Sequence, residues 1–209
     1  MIATTNPTEI LMQEHEVILK ALNVLSAMAG SVDRGARVPM ADVEGVIDFF
    51  RSFTDGCHHA KEEKALFPAM EAAGMPHHVG PVAVMLHEHE LGRGYMRAMA
   101  ESLGALESSA EARRRFVDAV CGYETLLTEH INKENNVLFS MADQMLSADK
   151  KREIADAFER HEREELGDGR HEYFHGIVKD LAARYLTEGK GIPLGHGMGH
   201  QCCGGGHCS

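Results

Sequence analysis

Apolar residues recur along most of the chain at steps of three and four, the period of helices that bury one face. In residues 8–29, Ile10, Leu11, Ile18, Leu22 and Leu25 share a face, and Gly30-Ser31 supplies a stop. A second helix is expected over residues 40–73, with Val43, Ile47, Phe50 and Phe53 on its apolar side and Gly74-Met75-Pro76 at its end. Further helices are predicted over 79–106, 110–146, 148–167 and 170–188. Alternating β-branched runs between turn residues, the mark of strands, are missing. Four long helices joined by short polar loops imply an all-α fold, an antiparallel up-down four-helix bundle over residues 1–146. Residues 147–188 then form two additional C-terminal helices packed on its outside. The stretch 189–209, GKGIPLGHGMGHQCCGGGHCS, has too much glycine and too few apolar residues to dock, and is expected to be a flexible tail.

Polar residues interrupt the inward stripe at matched places. HHAKEEKALFPAM (58–70) and HINKENNVLFSMA (130–142) align so that His58 matches His130, Glu62 matches Glu134, and Leu66-Phe67 matches Leu138-Phe139. Residues four apart share a helix face, so each His-x-x-x-Glu can aim an imidazole nitrogen and a carboxylate at one point. The following Leu-Phe pair continues the buried stripe, which turns both polar pairs inward. A second echo, Glu14-His15-Glu16 and Glu88-His89-Glu90, places one histidine on each of the first and third helices. Four histidines and two carboxylates can therefore meet at one level of the bundle. Buried carboxylates need compensation, and with few Lys or Arg candidates on that face the pattern calls for a cation. Imidazole and carboxylate without thiolate suit iron, manganese or zinc, and a structural zinc site would use cysteine at shorter spacings. Cys57 lies roughly 100° around the helix from His58 and is not counted as a ligand.

Composition narrows the setting. In 209 residues, 44% are hydrophobic and 25% charged, enough for a sizeable core. The formal net charge of −11 argues against a nucleic-acid surface and against an anionic membrane surface. There is no basic segment followed by an apolar stretch at the N-terminus, so a cytoplasmic location is expected. Five cysteines, three of them among the last eight residues, read as reduced thiols rather than a disulfide framework.

His15, His58-x-x-x-Glu62 before Leu-Phe-Pro, Glu88-His89 and His130-x-x-x-Glu134 together resemble a hemerythrin-like domain of the HHE cation-binding family, over about residues 8–146. The resemblance implies a non-haem di-iron site, with His15 and His58 on one iron and His89 and His130 on the other. Glu62 and Glu134 would bridge the irons, together with an oxo, hydroxo or water ligand. Mn or Zn could satisfy the same ligands. The sequence departs from oxygen-carrying hemerythrins, which have a His-x-x-x-His pair on the third helix and a His-x-x-x-x-Asp on the fourth. Here the positions four either side of His89 are Met85 and Arg93, and the fourth helix has Glu134 at the fourth step. His87 lies about 200° from His89 and cannot replace the missing ligand. Fewer protein ligands leave positions open for a small diatomic or peroxide ligand (O₂, peroxide or NO). An alternative is metal storage or donation, with the Cys/His-rich tail as transfer arm.

Other polar residues weigh less. Glu14, Glu16, Glu63, Glu88 and Glu90 flank the ligands, as solvated groups or as supports for them. His59, followed by Glu63 four residues on, is a weaker rival to His58. Tyr123 lies two turns before His130 and is a core residue or a hydrogen-bond donor to the site. His77 and His78 belong to a loop, and the 12 methionines are mostly core filler. His161, His171 and His175 are read as structural or surface residues, although His171 and His175, four apart, could hold a second metal. The tail's His196, His200, His207, Cys202, Cys203 and Cys208 have the composition of a metal-binding tract.

Overall fold

A computed structural model describes residues 6–167 and 169–186. The tail and its Cys/His tract lie outside these. Among the described residues the structure is all-helical, with six helices and no strand. Helix α1 spans Pro7–Asp33, with Pro7 in its first turn, where a missing N–H costs nothing. Leu11, His15, Ile18, Leu22, Leu25 and Met28 are buried along it at three- and four-residue steps. Helix α2 covers residues 40–72, and its two ends, Met40–Phe49 and Phe67–Ala72, are α-helical. Helix α3 is Pro81–Leu103. Helix α4 covers 110–145 and opens on Ser109, whose hydroxyl accepts from the Ala112 N–H. Helices α5 (Ala148–Glu165, capped by Ser147) and α6 (Arg170–Tyr185) follow. No helix among the described residues is long and apolar enough to cross a membrane.

The expectation of unbroken α-helix over the motif segments needs correction. Phe50–His59 and Glu62–Leu66 in α2, and Glu134–Leu138 in α4, are wound as π-helix. Such insertions occur chiefly at functional sites because they re-aim side chains. Here they carry His58 and both core carboxylates. Pro68, which has no N–H to donate, stands just past one of them, where the winding returns to α.

The core has two parts. The larger is built from α1, α2, α3, α4 and α6, around Ile18, Leu25, Phe49, Phe50, Met99, Phe116 and Phe174. The smaller joins Leu11, Leu66, Phe67, Met70, Met85, Leu138, Phe139 and Phe158. Between them lies a layer of buried polar residues, among them His15, His58, Glu62, His89, His130 and Glu134. Close approach of α3 and α4 depends on Gly122, where a Cβ would stand 2.4 Å from the Tyr95 ring. The C-terminal helices belong to this core: Phe174, Val178 and Leu181 of α6 are buried in the larger part and Phe158 of α5 in the smaller. At the end of α6, Arg184 Nη1 and Tyr185 OH both donate to Asp42 Oδ2, each at 2.6 Å.

Candidate metal centre

The structure brings His15, His58, Glu62, His89, His130 and Glu134 into one buried layer, none of them more than 2% exposed. His15 Nε2 faces His58 Nε2 at 3.0 Å, and His89 Nε2 faces His130 Nε2 at 3.2 Å. The two carboxylates lie between the pairs. Glu62 turns Oε1 to His58 (3.9 Å) and Oε2 to His89 (3.4 Å). Glu134 turns Oε2 to His15 and Oε1 to His130, both at 3.2 Å. Two four-donor sets result: His15, His58, Glu62 and Glu134 in one half, and His89, His130, Glu62 and Glu134 in the other.

The opposite ring nitrogens fix how these histidines are used. His58 Nδ1 lies 2.8 Å from Glu14 Oε2, His130 Nδ1 3.0 Å from Glu88 Oε2, His89 Nδ1 2.7 Å from Glu63 Oε1, and His15 Nδ1 2.8 Å from Asn135 Oδ1. With no hydrogen on those acceptors, each Nδ1 is the donor, so a neutral ring turns a bare Nε2 lone pair toward the centre. Lone pairs facing each other at about 3 Å repel unless a proton or cation stands between them. All four oxygens of Glu62 and Glu134 are buried without a hydrogen-bond donor. This is the donor set of a cation site.

Charge supports the same reading. Glu14 takes Lys61 Nζ at 2.5 Å, Glu63 takes Arg93 Nη2 at 2.9 Å, and Glu88 takes Lys133. Among the described residues, Glu62 and Glu134 have histidine neighbours and no Lys or Arg. Without metal they respond in opposite directions. Burial and the nearby Glu134 charge push the Glu62 carboxyl well above its ordinary range. Burial also acts on Glu134, but the adjacent His130 and His15 outweigh it and hold it low. His130, despite burial, is raised to about 9 by Glu134 and Glu88. The metal-free centre therefore takes up protons in place of cations. For the outer groups, burial opposes ionisation of Glu14, yet His58 and Lys61 bring it down to about 2. Burial lowers His58 to about 4.

The apolar walls explain the repeated Leu-Phe. Phe139 stacks on His15 (5.6 Å between centroids, 10° between planes) and Phe67 on His89 (6.1 Å, 19°). Each phenylalanine comes from the helix that supplies one carboxylate and closes the layer over a histidine of another helix.

Several residues take roles that the sequence left open or missed. Lys61 is fully buried, bridging Glu14 and, at 2.8 Å, Glu162 of α5. Its signal is in the motif: Lys61 and Lys133 each stand three residues after a motif histidine, His58 and His130. Glu14, Glu63 and Glu88 hold His58, His89 and His130 by Nδ1, whereas Glu16 is exposed and Glu90 meets Arg93 at the surface. Cys57 is buried beside Lys61, and burial raises its thiol to about 12. Tyr123 packs edge-on against Phe50. His161 Nε2 lies 3.3 Å from the Gly56 carbonyl, and the His171 and His175 rings meet at a tilt of 31° beside Phe53. His171 also approaches Glu14 and Glu162, where Lys61 already supplies the positive charge. His59, the weaker rival to His58, is buried at the edge of the second half, its ring stacked on His89 (3.9 Å, 15°). Burial and the neighbouring His89 bring it down to about 3.

The family model of the hemerythrin HHE cation-binding domain matches residues 6–142. A Mycobacterium tuberculosis protein described as uncharacterized is 25% identical over 175 residues, 83% of this chain and 67% of that protein. The iron-sulfur cluster repair protein YtfE of Musicola paradisiaca is 28% identical over 138 residues, 64% of this chain and 62% of YtfE. YtfE of Pectobacterium atrosepticum is 32% identical over 88 residues, 41% of this chain and 40% of that protein. These matches span less than two thirds of the repair proteins' own length. No solved structure matches the chain.

Proposed function

The chain belongs to the hemerythrin HHE cation-binding family, and from that premise we propose that it holds two iron ions, one in each half, and uses them on a small oxidant or gas. The observation that carries this reading is the arrangement of Glu62 and Glu134, each aiming one oxygen at each histidine pair with no other partner. Glu62 and Glu134 would each serve both ions, and two divalent ions would leave net positive charge for an exogenous anion to balance. The four long helices are read as an antiparallel up-down bundle, because α1 meets α2 and α4, and α3 meets α2 and α4.

Bound iron supplies electrons and coordination positions to the oxidant. The chain's own residues do the rest. His15, His58, His89 and His130 present Nε2 because Asn135, Glu14, Glu63 and Glu88 hold their Nδ1 hydrogens. Glu62 and Glu134 fix the spacing between the two positions, and Phe67 and Phe139 exclude water from the layer. Two equivalents of iron per chain, with near-ultraviolet charge-transfer bands that change when peroxide or O₂ meets the reduced protein, are expected. Zinc, or iron without any spectral response, would overturn the oxidant reading.

A second reading, iron donation, draws on the likeness to proteins named for iron-sulfur cluster repair. Removing residues 195–209 separates the two. Transfer of iron to an apo-acceptor fails under donation, and the oxidant response is unchanged under the first reading.

A further inference from the structure

His59 is unlike the other histidines of the centre. It is 4% exposed, yet among the described residues neither ring nitrogen has a hydrogen-bond partner. An unpaired buried polar group is destabilising, a cost that a leucine of similar size would avoid. One nitrogen lies near others of the centre: a donor atom from each of His59, His89 and His130 falls within 4.8 Å of the rest. Direct coordination beside His89 does not fit. The two rings are nearly parallel, and imidazole lone pairs lie in the ring plane, so the two cannot converge on one ion. A group hydrogen-bonded to an atom that is itself bound to a metal stands about 4–5 Å from the metal, the sum of a metal–ligand bond and a hydrogen bond. His59, with a donor atom within 4.8 Å of those of His89 and His130, is near enough for a group held by those two to reach it.

Asp55 decides which way the ring works. Its Oδ1 lies 3.5 Å from His59 Nδ1, too far for a hydrogen bond, because Arg93 draws the carboxylate to itself at 2.8 Å. A carboxylate on that side still favours the tautomer with hydrogen on Nδ1. Nε2 is then an acceptor without a donor. Dioxygen, nitric oxide and azide carry no hydrogen to give it; a hydroperoxide does.

Resting on the proposed di-iron reading, the geometry points to His59 as a specificity-determining residue that accepts a hydrogen bond from a hydroperoxide held in the His89/His130 half, favouring peroxides over aprotic ligands. His59 corresponds to Ile131 in the other half, so this selectivity belongs to one half only.

The test uses the iron-loaded full chain with His59→Leu, His59→Gln and wild type. Hydrogen peroxide and azide are titrated separately, each followed by the optical change, and iron is counted throughout. The expected result is about a tenfold weaker response to peroxide in His59→Leu, azide within about twofold of wild type, and iron unchanged. His59→Gln, whose amide oxygen is also an acceptor, recovers most of the peroxide response. Equal effects on both ligands, no effect on either, or loss of iron from His59→Leu would overturn the inference. Absence of iron from the wild type would overturn instead the reading on which it rests. Nitrogen-15 NMR of the metal-free protein gives an independent check: His59 Nε2 is expected to be unprotonated, and a protonated Nε2 contradicts the proposal.

Discussion

Around His15 and His58 the supports are an amide, Asn135, and a carboxylate, Glu14, whose lysine is fully buried. Around His89 and His130 both supports are carboxylates, Glu63 and Glu88, and their cations reach solvent: the Arg93 side chain is 25% exposed and that of Lys133 39%. The inner donors of the halves are matched residue for residue, and the difference lies one layer out. Repeated ligands therefore do not make two equal sites. The first half is backed by the fully buried Lys61, which also pairs with Glu162 of α5. The second has two outer carboxylates, each with a partly exposed cation of its own, and among the described residues it is there that a buried histidine without a hydrogen bond, His59, stands beside the centre.

Removing a bridge tests what the halves share, and its effect is the largest. Glu62→Ala and Glu134→Ala should each lose about half or more of the bound iron, because one carboxylate serves both positions. Retention of two irons by either variant in elemental analysis would refute the bridging arrangement.

The lysines separate the halves. Lys61→Met leaves Glu14 buried without its cation and should cost about 3–5 kcal/mol in denaturant unfolding. Lys133→Met, at a partly exposed pair, should cost about 1 kcal/mol or less. Equal costs would show that the two outer shells are equivalent.

A finer probe exchanges the supports. Glu63→Gln should weaken iron binding in the second half by about ten- to a hundredfold. Asn135→Asp should bring the two iron environments closer together, read as converging Mössbauer doublets. Unchanged spectra in both variants would mean that the outer shell does not tune the metals.

The smallest effects are protonic. Adding metal to metal-free protein in weak buffer near neutral pH should release about one to two protons, from His130 and Glu62. In that metal-free state His58 and His59 are held below their ordinary 6.5, at about 4 and 3, so the stability they contribute is lost as pH falls below 6.5. Glu14, held at about 2, adds a further loss below 4.5. His130, raised to about 9, contributes below 6.5, and that contribution is lost as pH rises through 9. The melting temperature of the metal-free protein should thus peak near neutrality. A flat profile from pH 5 to 9 would contradict these assignments.

The helical period and the doubled His-x-x-x-Glu were legible because both depend on residues three and four apart in sequence. The π-winding was not, since the same spacing reads as α-helix, and only packing of four helices at one level re-aims the turns. Lys61 was hidden for another reason: a lysine is ordinarily at the surface, and its burial depends on Glu162, 101 residues away. Asp42 with Arg184 and Tyr185 is a similar long-range pairing. His59 lost to His58 in the sequence because the alignment with His130 and the spacing to Leu-Phe favour His58. The fold puts both inside, one aimed at the centre and one stacked beside it.

The most direct test of the account is a titration of metal-free protein with ferrous iron under anaerobic conditions, followed by calorimetry and Mössbauer spectroscopy. Saturation at two irons per chain with two distinguishable iron environments is expected, because the halves differ in their outer carboxylates. Saturation at one iron, or two irons bound independently with Glu62→Ala still binding both, would contradict it.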